Sequence, residues 1–223
     1  MAVVHRTTLT PTKDELLASW LPTRPWYRPG AGAPQLERAG GFRLDDPKGE
    51  VGIEFMAVTD TAGAEPVTYL VPLSYRGAPL DGAEDALVGT MDHGVLGKRW
   101  AYDGCHDPVL VAELLALIEG RTQPQAQSAS NTPDHEVAFA YTGEAPVPTD
   151  FASVAEVQES QDATELASAA HGMTLRLNRV LRPGPEALPQ GATGHVTSWW
   201  RLPDGTTRAR GLFAVLRTVL STS

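Results

Sequence analysis

The chain has 223 residues, of which 42% are hydrophobic, so it is long and apolar enough for one large domain or two small ones. Its 27 acidic residues outnumber the 18 basic ones, and the net charge of −9 argues against a nucleic-acid binder and against electrostatic docking onto an anionic membrane. The one cysteine, Cys105, excludes an internal disulfide.

The sequence shows no pattern of membrane insertion or export. No apolar run approaches the ~18 residues that a membrane span needs. The N-terminus carries Lys13, Asp14 and Glu15 where the apolar region of a signal peptide would lie. We therefore expect a soluble cytoplasmic protein.

The first predicted element is a short helix that ends before Pro22. Thr12 is a suitable N-cap, and two acidic residues follow it in the first turn. Trp20, Trp26 and Tyr27 then cluster around prolines. We expect these rings to cover one end of the core rather than to stack on a ligand.

Strand-like runs follow the aromatic cluster. They occupy Gly41–Leu44, Val51–Thr59 and Val67–Tyr75, and turn residues separate them. Pro72 indicates an edge position or a bulge in the third run. With a fourth strand at Lys98–Asp103, the spacing predicts an antiparallel meander.

Pro108–Glu119 has the clearest helical pattern in the chain. Asp107 is placed to cap this helix, Pro108 suits its first position, and Gly120 suits its end. Its apolar residues line one face, which we expect to lie across the sheet.

The remainder of the chain predicts a second, β-rich unit. Arg121–Asp134 is polar and marks a linker or mobile loop. Val147–Ala170 is ambiguous, because acidic, Ala-rich, helix-like residues at Ala155–Ala169 follow strong helix breakers. Further strands are predicted at Glu136–Tyr141, Met173–Leu181, Gly194–Leu202 and Thr206–Leu216, the last two flanking a hairpin turn. The predicted fold is therefore α+β, with an antiparallel sheet and one main helix in residues 1–134. Residues 135–223 form the second unit, either separate or packed with the first as one domain.

Three segments carry a family resemblance. The run Trp20-Leu-Pro-Thr-Arg-Pro-Trp-Tyr, then Val67–Leu73, then Gly89–Pro108 together resemble the N-terminal cap domain of actinobacterial maltokinases. The resemblance covers roughly residues 15–135. It implies a curved antiparallel sheet with a helix, and a relation to kinases that phosphorylate maltose with ATP in the trehalose-to-glycogen route.

A later segment, Thr174–Pro189, resembles the strand that follows the cap in those kinases. There a lysine grips phosphates and an acidic residue on the next helix holds it; here Arg176 takes the lysine's position and Pro183–Gln190 is a poor helix start. Neither a Gly-rich nucleotide loop nor a kinase catalytic loop is found, and the chain ends at Ser223 without room for a C-lobe. We expect a stand-alone cap with a remnant of the kinase intermediate subdomain, without a cofactor.

The segment Gly89–Pro108 concentrates residues of the kinds used in active sites. His93, Asp103 and His106 are the candidate catalytic groups, and a metal or acid–base site would require them to converge. Because Asp107 is needed as a helix cap, we favour structural roles for this set and expect no metal site.

Arg99, Trp100 and Tyr102 lie on the strand inside that segment. An exposed Trp–Tyr pair would suit a sugar ring or a partner surface, whereas the alternative is an aromatic pair buried beneath the main helix. We take these three residues as the candidate ligand- or partner-binding set. Of the adjacent pair Trp199–Trp200, one ring must point to each face of its strand.

The resulting hypothesis is a non-catalytic accessory or regulatory protein of trehalose, maltose or α-glucan metabolism. It would bind a glycogen- or trehalose-pathway enzyme or an α-glucan, and it would bind neither nucleic acid nor membrane. Two alternatives stay open, a small enzyme using His93, Asp103 and His106, and a carbohydrate-binding module. The oligomeric state is left open.

Overall fold

Antiparallel strands dominate the protein, and helices are few. The computed structural model describes residues 9–127, 132–184 and 188–218. The strands are β1 (Leu9–Thr10), β2 (Leu36–Asp45), β3 (Gly52–Asp60), β4 (Val67–Arg76), β5 (Leu87–His93), β6 (Gly97–Asp103), β7 (Gln125–Ala126), β8 (Ala138–Tyr141), β9 (Glu156–Glu159), β10 (Ala163–Ser168), β11 (Met173–Asn178), β12 (Ala192–Arg201) and β13 (Arg208–Thr218). The α-helices are α1 (Lys13–Trp20), α2 (Pro108–Ile118) and α3 (Phe151–Val154), and 3₁₀ turns occupy Leu21–Thr23, Glu84–Ala86 and Gly104–His106.

Hydrogen bonds join the strands into one sheet that closes on itself. Its main path is β1–β5–β6–β4–β3–β2–β12–β13–β11–β10–β9, with β7 added to β2 and β8 to β12. Residues 179–181 continue β11 and pair with the start of β4. The Leu70 N–H donates to the Arg179 carbonyl at 2.9 Å, and the Leu181 N–H donates to the Thr68 carbonyl at 2.8 Å. The strands β4, β3, β2, β12, β13 and β11 therefore form a ring.

The first helix, α1, has the predicted start and end. The Glu15 N–H donates to Thr12 Oγ1 at 3.2 Å, and the Thr12 N–H donates to Glu15 Oε2 at 2.8 Å. This reciprocal capping box satisfies two N–H groups that a helix start leaves free. The rings of Trp20, Trp26 and Tyr27 are buried against β3 and β4, so the predicted aromatic cover over the core is confirmed.

The effect of Pro72 follows from the ring closure. Residues 68 and 70 point their backbone polar groups towards residues 179–181, so alternation places the nitrogen of Pro72 on the same edge of β4. Pairing with β6 begins only at Leu73, which lies opposite Asp103. The missing N–H of Pro72 therefore falls where this edge of β4 changes partner, which is a position that tolerates proline.

The helix α2 lies in the core and has the predicted capping. Asp107 is its N-cap and accepts a hydrogen bond from the Val109 N–H at 3.0 Å, with Pro108 at the first helical position. Seven of its 11 residues are buried, which is more than one apolar face would give. A Cβ on Gly104 would lie 2.1 Å from Leu110, so only glycine allows the preceding turn to approach α2 this closely.

The helix-like composition of Ala155–Ala169 does not produce a helix. The structure has β9 and β10 there, and β10 pairs with β11 from Ala163 opposite Asn178 to Ser168 opposite Met173. Within β10, Thr164, Leu166 and Ser168 are buried while the residues between them are more exposed. This period of two matches a half-buried strand, so sheet pairing overrides the helix propensity of alanine.

One apolar core contains residues from both predicted units. The Phe42 ring lies 6.2 Å from that of Phe213, which in turn lies 6.1 Å from that of Trp200. Trp199 is exposed whereas Trp200 is buried, so the prediction that the adjacent rings point to opposite faces is confirmed. In the predicted linker, β7 pairs with β2, and residues 128–131 lie outside the described chain. The division into two units stays a prediction.

Candidate functional site

The centre of the predicted site is a buried ion pair. Asp103 ends β6, and Arg179 continues the inward-facing positions of β11 after Leu175 and Leu177. Arg179 Nη2 lies 2.7 Å and 2.5 Å from the two carboxylate oxygens of Asp103, and both side chains are buried. Asp103 also accepts a hydrogen bond from the Cys105 N–H at 3.1 Å. The carboxylate therefore joins the C-terminal strands to the start of the turn before α2.

The other contacts of Arg179 hold its guanidinium in place. Its Nε donates to Thr164 Oγ1 at 2.7 Å, and its carbon Cζ lies 4.9 Å from the centre of the Trp26 ring. Trp26 donates from Nε1 to Glu159 at 3.0 Å. Nη1 of Arg179 is buried and has no hydrogen-bond partner in the described chain.

Electrostatics keep this centre charged and unreactive. Burial alone would lower the pKa of Arg179, but the charge of Asp103 and their hydrogen bond raise it above its ordinary value. Burial raises the pKa of the Cys105 thiol well above its ordinary value, although Arg179 opposes that shift. Cys105 is therefore a neutral thiol at pH 7 and a poor nucleophile.

Asp107 forms a second buried ion pair. Arg76, at the end of β4, donates from Nε and Nη2 to its two oxygens, each at 2.7 Å. Burial opposes ionisation of Asp107, but the hydrogen bonds and the charge of Arg76 outweigh it, so the pKa of Asp107 lies below its ordinary value. Asp103 and Asp107, the two carboxylates that flank Cys105, are thus each paired with an arginine.

The structure places His93 far from the other two candidate catalytic residues, Asp103 and His106. His93 ends β5 opposite Gly97, and its Nδ1 accepts a hydrogen bond from the Leu96 N–H at 3.1 Å in the β5–β6 turn. Asp103 lies six residues further along β6 than Gly97, which is about 20 Å in an extended strand. His106 lies in the half-buried 3₁₀ turn beyond Asp103.

The candidate binding residues differ in exposure. Tyr102 is buried and its hydroxyl accepts a hydrogen bond from the Leu80 N–H at 2.9 Å. Trp100 is half-buried beside it, and the two rings pack against residues 80–86 rather than beneath α2. The Lys98 ammonium lies 5.1 Å from the centre of the Trp100 ring. Arg99 is half-buried on the opposite face of β6.

A third buried polar group was not predicted. Glu54 lies on β3, where it pairs with Lys13 of α1 and accepts a hydrogen bond from the Tyr75 hydroxyl at 2.8 Å. Gln127 donates to its other oxygen at 3.2 Å. In the sequence, a single acid inside the apolar run 51–59 indicates that Glu54 has a buried partner. The position of Arg179, in register with inward-facing leucines, likewise indicates its buried pair with an acid.

The described residues contain neither a cluster of metal ligands nor a helix that could span a membrane. No group of three or more His, Cys, Asp or Glu side chains in ranges 9–127, 132–184 and 188–218 is arranged to hold a metal ion. None of the helices within those ranges is long and apolar enough to span a bilayer.

One protein-family model matches part of the chain. No curated protein matches the chain. The model of the maltokinase N-terminal cap domain family matches residues 20–107, which run from Trp20 in the aromatic cluster to the α2 cap Asp107. The matched range includes β2 to β6, Asp103 and Asp107. The chain therefore carries, over residues 20–107, a domain similar to the maltokinase N-terminal cap.

Proposed function

We propose that this protein is a non-catalytic accessory or regulatory module that binds an enzyme of maltose, trehalose or α-glucan metabolism. The observation that carries the proposal is the use of Asp103 and Asp107. These two acids, near the end of the cap-like segment (residues 20–107), are buried against Arg179 and Arg76, where they join elements of the fold. A carboxylate held this way is not available as a general base, and the cap resemblance supports the choice of metabolic context.

The β5–β6 hairpin is the surface that we assign to the partner. Val95 and Leu96 at its turn are exposed apolar side chains, and Lys98 follows them beside the half-buried Trp100. Exposed apolar side chains next to a Trp and a cation are typical of protein contacts. The turn itself is held in shape by the bonds that His93 accepts.

The kinase-like strand supports a non-catalytic role in a different way. In the proposed relation to the kinase intermediate subdomain, Arg176 takes the place of the phosphate-gripping lysine. Arg176 donates from Nη1 to Glu165 at 2.9 Å, and Glu165 lies on the neighbouring strand β10 rather than on a helix. An Arg–Glu pair between two neighbouring strands stabilises their pairing and differs from the kinase arrangement, in which a helix carries the acid.

The test measures binding of the purified protein to purified maltokinase and to enzymes that make or consume trehalose. We expect L96D to weaken binding to one of them by about tenfold or more, because a central apolar contact contributes about 1.4 kcal/mol or more. V154D is the matched control, since Val154 is 46% exposed and Leu96 45% exposed. Equal loss in both variants contradicts the hairpin assignment, and turnover of maltose with ATP by the isolated protein contradicts the non-catalytic role.

A carbohydrate-binding module is the second candidate. The observation that favours it is the half-buried Trp100, whose partly open ring could stack on a sugar. Calorimetry against maltose, trehalose and glycogen tests this function. Binding that W100A removes, while folding is kept, would support it over the protein partner.

A further inference from the structure

A polar groove lies on the C-terminal part of the sheet. It has a volume of about 250 Å³, and its lining residues come from β11, from the residues after that strand, from β13, and from the turn between β9 and β10. They are Asp162, Arg176, Asn178, Val180, Arg182, Pro183, Gly184, Gly211 and Leu212. The carbonyl of Asp162 accepts hydrogen bonds from the Arg179 and Val180 N–H groups at 2.7 Å and 3.1 Å, which fixes one wall.

Positive charge exceeds negative charge at both sides of this groove. Asp162 accepts hydrogen bonds from two arginines, Arg28 at 2.8 Å and Arg182 at 2.9 Å. Glu165 likewise accepts hydrogen bonds from Arg176 at 2.9 Å and from Arg217 at 3.1 Å. Each carboxylate neutralises one of its two arginines, so one positive charge is left at each side.

The sequence shows the same local excess. Residues 171–223 contain seven arginines and two acidic residues, whereas the whole chain has a net charge of −9. Of these arginines, Arg176 and Arg182 line the surface of the groove, and Arg217 pairs with Glu165 beside it. Anions are attracted to such a surface from solution.

Arginine donors at the groove are held in place and only partly used. Arg176 donates from Nε to Asn178 Oδ1 at 3.2 Å and from Nη1 to Glu165, and Asn178 donates to the Leu212 carbonyl at 3.0 Å. Arg182 has a 65% exposed side chain, and its one side-chain hydrogen bond within the described residues goes to Asp162. Guanidinium groups with fixed orientation and unused N–H donors are well suited to phosphate oxygens.

The floor of the groove is open at Gly184. A Cβ built at Gly184 would meet no atom within 4 Å, whereas a Cβ at Gly211 would lie 2.5 Å from the Arg182 carbonyl. The groove volume corresponds to about eight water molecules. That is enough for a phosphate group and a few further atoms.

We propose that this groove binds a small phosphorylated molecule, with Arg176 and Arg182 contacting its phosphate group. Two positive charges left over at the groove match a phosphate dianion. The acceptor oxygens of Asp162 at the same wall can receive hydrogen bonds from hydroxyl groups of the remainder of the ligand. The site is independent of the partner surface proposed for the β5–β6 hairpin.

Calorimetric titration at pH 7.5 and constant ionic strength tests the site with two ligands, inorganic phosphate and glycerol 3-phosphate. We expect both to bind, and glycerol 3-phosphate to bind more tightly because its hydroxyls reach Asp162. R182Q and R176Q should each weaken binding by about tenfold or more, the effect of losing a charged hydrogen bond to phosphate. G184F should abolish binding by filling the groove.

R121Q is the matched control for R182Q, because the side chains of Arg121 and Arg182 are 59% and 65% exposed, but Arg121 pairs with Glu119 outside the groove. It should bind both ligands as the unchanged protein does. Failure of both ligands to bind at concentrations up to about 20 mM overturns the proposal. Equal affinity in R182Q, R176Q and R121Q also overturns it, since binding would then be non-specific. A melting temperature measured for each variant separates loss of the site from loss of the fold.

Discussion

Replacing Asp103 by alanine tests whether the buried ion pair stabilises the contact between the cap-like segment and the C-terminal strands. The substitution leaves the Arg179 guanidinium buried without its counter-ion and leaves the Cys105 N–H without its acceptor. Removal of one partner from a buried pair costs about 3–5 kcal/mol. The orphaned N–H adds about 1 kcal/mol, so we expect a loss of about 4–6 kcal/mol in the free energy of unfolding.

A loss of that size is a large part of the stability of a typical domain, which is about 5–15 kcal/mol. Removing both charges should cost less, because no unpaired ion is then left in the core. D103L combined with R179M should therefore be more stable than D103L alone by about 2 kcal/mol or more. The gain would be incomplete, since the Cys105 N–H still lacks its acceptor and Thr164 loses a donor.

Urea unfolding followed by tryptophan fluorescence measures these differences, since Trp26 stacks on Arg179 and reports on the same region. E136A is the control, because Glu136 and Arg208 form a similarly short pair in which both side chains are exposed. It should cost less than about 1 kcal/mol. The reasoning about this pair is refuted if D103A lowers the free energy of unfolding no more than E136A does. It is also refuted if the losses caused by D103L and R179M simply add in the double variant.

Three further predictions concern single groups. D107A should lower the free energy of unfolding by about 3 kcal/mol in the same urea assay, because it removes the α2 cap and leaves Arg76 unpaired; no change would mean that water replaces both contacts. Burial opposes ionisation of Glu54, but Lys13 and Tyr75 outweigh it and lower its pKa. Glu54 thus adds stability that is present above pH ~4.3 and is lost as the pH falls below it, so urea midpoints of E54Q should fall less between pH 6 and pH 3 than those of the unchanged protein. Buried Cys105 should react with a thiol reagent at pH 8 only as fast as the protein unfolds, whereas rapid labelling in the absence of urea would show an accessible thiol.

The elements predicted best are those determined by local sequence. The caps at Thr12 and Asp107 and the hairpin around Pro203-Asp-Gly depend on side chains within a few residues, and the structure has each of them. The ambiguity at Ala155–Ala169 has the opposite cause, because its strand structure depends on pairing with β11, a contact that local propensity does not contain. The closure through residues 179–181 is also a long-range contact, so no local pattern indicates it.

For the candidate site, the sequence identified the residues but not their partners. The sequence singles out both Asp103 and Asp107, and the predicted capping role of Asp107 agrees with its observed contacts. The partner of Asp103 is 76 positions away, and only the fold shows that Arg179 reaches it. Whether Arg99, Trp100 and Tyr102 bind a ligand stays a prediction, although burial leaves the Tyr102 ring inaccessible.

The ring closure also determines when during synthesis the protein can complete its fold. The start of β4 obtains its second partner strand only when residues 179–181 have been made, more than 100 positions later. Until then the edge at Thr68–Leu70 is open to pairing with other chains. Contacts so distant in sequence make folding slow, so aggregation of nascent chains should depend on this edge. A truncated protein that ends at α2 would keep this strand edge open permanently and would leave Asp103 without Arg179.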